Sequence, residues 1–401
     1  MATQKGVWDL QDVRDEQLQG VWSYSAPPDP GTLFTVGQNR EGQLGLNAPN
    51  SSHKSSPTQV PDSWWRLNPT YAEVPSTFAI TTYGSLWAWG ENDNHGQLGL
   101  NDTSSRSSPT QVGTNSNWAA YTQTEQSTTH AVTTDGELFG WGSGYWGTIG
   151  NNIDGGSTPN WRFSSPVQIP GTDWTPEINS AHNMIMAIKT NGTLWVWGGN
   201  SSGILGQNNV TLDGYSSPTQ VGTDGNWNKV SRGGNGGEAY GIKNDGTLWA
   251  WGANNKGQLG LNQGYPDLKA ASSPTQVGTV NTWANIAIGE ASVVATKIDG
   301  TLWTWGNNGY GTLGQNQVND NKSSPVQVGT DTNWHQTQFV SQQYGVMALK
   351  TDGTVWGWGR NNNGQLGQNS SQAQYSSPIQ IPGTYTQVGS AGKDAFCLGR
   401  P

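Results

Sequence analysis

Charge is what this chain has least of. Only 12% of its 401 residues are Asp, Glu, Lys or Arg, against about 25% in an ordinary globular domain. Lys and Arg number 19 against 28 Asp and Glu, for a net charge of −9. The clustered basic residues that draw a protein onto nucleic acid or an anionic bilayer are missing, so nucleic-acid binding is not expected. Cysteine is reduced to Cys397, read as a small buried residue; one thiol excludes an internal disulfide framework and a thiolate metal cluster. No run approaches 18 consecutive apolar residues, and the opening MATQKGVWDLQDVRDEQ has no apolar stretch of signal-peptide length, so membrane insertion is not expected and the chain is expected to fold in a cytoplasm.

Glycine (56), tryptophan (22) and proline (20) stand in place of charge, among many Ser, Thr, Asn and Gln. This is the composition of a turn-rich β-protein with an aromatic core, since a few indoles cover as much apolar area as many aliphatic side chains.

A phrase of the form G-T-L-W-x-W-G begins at Gly31, Gly84, Gly136, Gly192, Gly246, Gly300 and Gly353, at spacings of 52 to 56 residues. Each copy is followed by a G-x-x-G loop such as Gly257-Gln258-Leu259-Gly260, then by Ser-Ser-Pro and a short β-rich run, then by an apolar run and an Asn-Gly or Asp-Gly turn. Self-similarity at this period predicts a repeat architecture. Each unit has room for four short strands, the content of one propeller blade. The predicted fold is therefore all-β: a seven-bladed β-propeller of four-stranded blades spanning 31–401, preceded by an arm over 1–30. Alternation along a strand puts both indoles of each Trp-x-Trp pair on one face, read as packing between blades. The first strand, Leu33 to Val36, lacks a preceding apolar run, and the last run, Ala395 to Leu398, lacks a following G-T-L-W strand. Their pairing within one blade is expected to close the ring and remove its free edges.

Seven copies of sequence like DGTLWAWGANNKGQLGLN resemble the repeats of the regulator of chromosome condensation family, over about residues 31–401. The resemblance implies a seven-bladed propeller. Its eukaryotic namesake exchanges guanine nucleotide on a small GTPase and binds chromatin; the basic tail and inserted wedge suited to that work are absent here. A plant UV-B photoreceptor of the family uses clustered Trp as chromophore, but its Gly-Trp-Arg-His-Thr repeats are not found, and the Trp residues here are read as core.

The first 30 residues resemble the opening of virion structural proteins from tailed phages of marine bacteria. Asp9 can cap a helix whose apolar stripe ends before Pro27, Pro28 and Pro30. Trp8, Leu10, Val13, Leu18 and Trp22 are the partner-docking candidates. Such a stripe either folds back on the propeller or docks on another virion protein.

Catalytic and cofactor chemistry is not expected. His53, His95, His130, His182 and His335 show no metal spacing and read as loop or surface residues. Gly142-Ser143-Gly144-Tyr145-Trp146-Gly147 fits G-x-G-x-x-G but sits in a β-repeat with no helix after it, and Asn92-Asp93-Asn94 and Asn319-Asp320-Asn321 lack the twelve-residue frame of a calcium loop. No zinc, calcium, nucleotide or catalytic residue is assigned. Three segments depart from the repeat, at 152–163, 232–238 and 263–271, and loops on a rigid scaffold carry recognition. Trp146, Trp161, Arg232 and Glu238 are the surface-loop candidates. The leading expectation is a non-enzymatic virion component of a tailed phage, in tail, fibre or decoration, working within a larger assembly. A receptor- or carbohydrate-binding module is the alternative, and a guanine-nucleotide exchange factor the remote one.

Overall fold

The computed structural model describes residues 34–399 except 38–40, 48–53, 61–63, 67–75, 93–94, 125–126, 154–160, 182, 211–213, 233–236, 342–343, 363–365, 367–371 and 391–395. The arm and its docking candidates Trp8, Leu10, Val13, Leu18 and Trp22 lie outside the described residues, as do His53 and His182.

Six antiparallel four-stranded sheets follow one another along the chain. They are blades 1 (64–111), 2 (118–169), 3 (174–220), 4 (227–276), 5 (283–327) and 6 (334–381), each a meander in chain order. First strands of successive blades are neighbours, from Trp118–Gln123 through Trp334–Ser341 to Gln387–Ser390. They therefore lie innermost, and the Ser-Ser-Pro strands form the rim of a propeller. No described helix is long and apolar enough to cross a membrane.

Repeat and blade are out of step. The Leu-Trp-x-Trp phrase forms the third strand of each blade, as in Leu194–Gly198 and Leu248–Ala253, and Ser-Ser-Pro the fourth. Each sequence repeat thus supplies the outer half of one blade and the inner half of the next. By the same pattern, Phe34–Gly37 and Lys54–Gln59 take third and fourth positions in one two-stranded sheet, while Gln387–Ser390 and Phe396–Gly399 take first and second in another. The two hold complementary halves of a seventh blade. Among the described residues no ladder joins them, and Leu33 and Ala395 are not described, so their pairing stands as a proposal. Cys397 belongs to the last of these strands.

The Asp-Gly and Asn-Gly signals do mark hairpins, of the three-residue kind. At the blade 3 turn Gly192 alone has positive φ (+78°), and its N–H donates to Lys189 O at 2.8 Å. A two-residue type I′ turn would need positive φ at Asn191 as well.

The aromatic core lies at the seams. The second Trp of each pair (Trp89, Trp197, Trp251, Trp305 and Trp358) and Trp141 are wholly buried. The first is half-buried and shares its own blade's leading indole, Trp195 lying 6.2 Å from Trp174 and Trp197 6.1 Å. One histidine reading is corrected: His130 is not a surface residue but fully buried in the second strand of blade 2, edge-on to Trp197 of blade 3 at 5.7 Å. This strand is covered on both faces, Thr129 and Ala131 being buried as well, so no position along it reaches the surface.

Candidate binding surface

The G-x-x-G loops fasten each blade to the next. In six of the seven copies the buried Trp of the following blade donates its Nε1–H to a loop carbonyl: Trp89 to Gln43, Trp141 to Gln97, Trp197 to Thr148, Trp251 to Ile204, Trp305 to Gln258 and Trp358 to Thr312, at 2.7–2.9 Å. The close approach requires glycine. A Cβ on Gly150 (φ +83°) would stand 2.8 Å from Trp197 Nε1, and one on Gly147 (φ +70°) 2.5 Å from Ser216 Cα. A left-handed Asn completes the clasp, Asn262 N–H donating to Ser323 O at 2.7 Å while Ser324 Oγ meets Asn262 Oδ1 at 3.0 Å.

Behind each clasp a buried asparagine staples its own loop. Asn254 accepts from Leu259 N–H at 3.0 Å and donates to Gln263 O and Leu268 O at 2.8 and 3.0 Å. Asn92, Asn200, Asn308 and Asn361 repeat the arrangement. Asn92, weighed above as part of a calcium-like run, is thus a loop staple, with backbone carbonyls already on its amide.

Blade 2 breaks the pattern, with Gly144 at the staple position. Its loop leaves Tyr145 and Trp146 exposed, 43% and 37%, with Trp161 half-buried. The rings touch in series. Tyr145 lies 5.2 Å from Trp146 and 6.2 Å from Trp161, and Trp161 lies 5.6 Å from His95 of the blade 1 loop with the Arg162 guanidinium 4.5 Å from its ring. Trp146 also nears blade 3, where a Cβ on Gly199 would stand 3.6 Å from its Cγ. An aromatic ridge therefore crosses three blades on the face that carries the loops after the third strands. Trp146 has φ +60°, and Ser202 of blade 3 adopts the same conformation, so this strain belongs to the loop type and not to the ridge.

Arg232 and Glu238 do not join that ridge. Arg232 ends the first strand of blade 4 and Glu238 begins its second. The surface-loop reading of Glu238 is corrected, because the residue is wholly buried and both carboxylate oxygens lack a hydrogen bond of ordinary geometry. Its place after a Gly-rich run suggested a loop; pairing with Gly252 puts it inside the blade. Burial pushes its carboxyl from an ordinary 4.5 up to about 7, against the pull of Arg232 and with a further push from Glu290 of blade 5. Tyr344 of blade 6 is pushed to about 12 by burial and by Glu290. Its ring lies 4.6 Å from that of Tyr310, tilted by 46°, with Arg360 near both rings.

A further repeated feature escaped the sequence reading: a lysine between two indoles. Lys243 Nζ lies 4.8 Å from the ring of Trp227 and 3.9 Å from that of Trp249, and pairs with Asp224 at 2.6 Å. Its signal was a Lys at one fixed repeat position (Lys189, Lys243, Lys297, Lys350). Among the described residues no group of three or more His, Cys, Asp or Glu is placed to hold a metal ion.

Comparison with known proteins bears on this frame. The family model described as Regulator of chromosome condensation (RCC1) repeat matches residues 30–64, 83–123, 245–296, 299–348 and 352–394, more than half of the chain. The Ultraviolet-B receptor UVR8 of Arabidopsis thaliana is 28% identical over 316 residues, covering 77% of this chain and 68% of that protein. The E3 ubiquitin-protein ligase HERC2 of Homo sapiens is 25% identical over 378 residues, 90% of this chain and 7% of that protein. Among solved structures, human WBSCR16 superposes with a TM-score of 0.72 at 17% identity, covering 92% of this chain and 98% of that one. Yeast RCC1 (Prp20), solved bound to Kap60, gives 0.70 at 17% identity over 92% and 88%. Likeness at that identity carries the fold alone. Seven G-T-L-W phrases, their glycine clasps and these matches together place the chain in the regulator of chromosome condensation repeat family.

Proposed function

We propose that this chain is a non-enzymatic recognition protein, a rigid propeller carried by its first 30 residues on the virion of a tailed phage, where the arm docks on another virion protein. The observation that supports recognition is the ridge of Tyr145, Trp146 and Trp161 beside His95 and Arg162. Aromatic side chains with one exposed edge and a rigid setting are enriched where partners dock. The sequence of the arm supports the virion setting. A relative named as a receptor, and a match to 7% of one named as a ubiquitin-protein ligase, are compatible with a binding scaffold.

The ridge also favours a receptor- or carbohydrate-binding role on the host surface, since a sugar's apolar face covers an exposed ring. Nucleotide exchange gains no support from a likeness of fold.

Two measurements test the proposal. Antibody detection of the chain in purified phage particles checks its location, and its absence from particles would refute the virion setting. Binding of the full-length chain to virion proteins and to host glycans, compared with Trp146→Ala and Trp161→Ala, checks the ridge. A loss of about tenfold or more is expected on either variant, the scale of an interface hot spot; undiminished binding by both would remove the ridge from the reading.

A further inference from the structure

The lysine boxes are not all alike. In blade 3 Lys189 lies 4.7 and 4.8 Å from the rings of Trp174 and Trp195 and pairs with Asp173 at 3.0 Å. Blade 4 pairs Lys243 with Asp224 at 2.6 Å, and blade 6 pairs Lys350 with Asp331 at 2.7 Å. Blade 5 repeats the sandwich, with Lys297 at 5.0 Å from Trp283 and 3.6 Å from Trp303. Asp224 and Asp331 each stand three residues before the leading Trp of their blade; the same place before Trp283 holds Val280.

Lys297 is consequently a buried cation, 9% exposed, with no ion pair among the described residues. The acid on its own turn, Asp299, is engaged elsewhere, its Oδ1 accepting from Thr301 N–H and Oγ1–H at 3.0 and 2.7 Å. Burial draws the lysine's pKa below its ordinary value, with Asp299 acting in the opposite sense. An ammonium shut between indoles without a counter-ion is costly.

At this box a cleft of about 610 Å³ opens between blades 4 and 5, lined by Leu261, Leu268, Val280, Trp283 and Trp303 as well as Lys297. One side of it is the 263–271 segment that departs from the sequence repeat, through Gln263, Leu268 and Ala271. The volume lies in the range of small-molecule sites, which combine apolar walls with one or two placed polar groups.

We propose that this cleft binds a small organic carboxylate: the ligand's carboxylate takes the place beside Lys297 that Asp224 and Asp331 fill in neighbouring blades, and its apolar body lies against Leu261, Leu268 and Val280. The site is separate from the aromatic ridge and does not rest on the virion reading.

The probe is 4-phenylbutyrate, titrated calorimetrically into the full-length chain beside its neutral counterpart 4-phenylbutanamide. The carboxylate is expected to bind saturably and at least about tenfold more tightly than the amide, the scale of one charge-assisted contact. Val280→Asp restores the internal acid of the sister blades. It is expected to keep the fold and thermal midpoint and to weaken the carboxylate about tenfold or more, and Lys297→Met to abolish the preference for carboxylate over amide. Equal affinity for the two probes, no saturable binding, or unchanged binding by Val280→Asp each overturns the proposal. Binding of acetyl-Leu-Glu-Leu-amide with phenylbutyrate silent would also overturn it, moving the source to an acidic segment of a partner.

Discussion

The indole N–H of Trp251, in the third strand of blade 4, donates to the main-chain carbonyl of Ile204 in the loop of blade 3 at 2.7 Å. Both groups are buried, so the bond is made at the seam between two blades where water does not compete. Replacing Trp251 by Phe keeps most of the ring and removes the donor, leaving that carbonyl without its partner. The expected loss is about 1–3 kcal/mol, against about 3–5 kcal/mol for Trp251→Ala, which also opens a cavity. Urea unfolding measures both, and a Phe variant as stable as the parent would show the seam to depend on ring packing alone.

Two glycines with left-handed backbone separate strain from crowding. Gly222 has φ +60° and nothing within 4 Å of a would-be Cβ, whereas on Gly150 that atom would stand 2.8 Å from Trp197 Nε1. Gly222→Ala should cost about 1–2 kcal/mol, the backbone strain alone. Gly150→Ala should cost clearly more, because the clasp must open to admit the methyl group. Thermal denaturation of the pair tests the difference, and equal costs would contradict the tight fit of loop on indole.

Glu238 and His130 give stability opposite slopes with pH. Glu238 holds its proton to about 7 in the fold against 4.5 when unfolded, so its contribution is complete below pH 4.5 and is lost as pH rises to about 7. His130 is lowered by burial from 6.5 to about 4, so its contribution is complete above pH 6.5 and is lost as pH falls to about 4. The two offset each other between pH 4.5 and 6.5. Glu238→Gln should therefore leave a curve that rises with pH across 4 to 6.5, and His130→Asn one that falls across 4.5 to 7. Denaturation midpoints against pH read both, and a flat profile in both variants would refute the buried-group account.

Ring closure has a local readout. If the strand at Phe396–Gly399 pairs with the one at Phe34–Gly37, removing residues 396–401 should expose the amides of 34–37 to exchange while those of blade 4 stay protected. Hydrogen exchange with mass spectrometry makes the comparison. Unaltered protection at 34–37 would refute the pairing.

Most of the frame was legible because seven copies of one phrase repeat at nearly constant length. The phase was not, since a periodic signal carries no mark of where a blade begins; Trp64, Trp118 and Trp174 start blades that the G-T-L-W count splits. Trp146 and Trp161 could be picked out as aromatics off the repeat, but His95 could not, because its part in the ridge depends on two loops meeting across a seam. Glu238 was misplaced because a polar residue after Gly-rich sequence looks like a loop whether or not the next strand buries it. The lysines recur at one place in the repeat, just before the Asn-Gly or Asp-Gly turn, where a charge is ordinary. Only the rings on either side of Lys243, and the valine standing where an acid stands elsewhere, give that position meaning.

The mismatch in phase between repeat and blade bears on how the protein is made. A ribosome releases the outer half-blade at 34–59 before the six four-stranded blades and the complementary inner half at 387–399 after them. In between, the nascent chain carries a two-stranded sheet with an open edge, the kind of template that invites pairing with other chains. With only 12% charged residues such a chain has little repulsion to keep that edge apart from others, and on the proposed pairing a product lacking 387–399 would leave the strands at 34–59 without a mate.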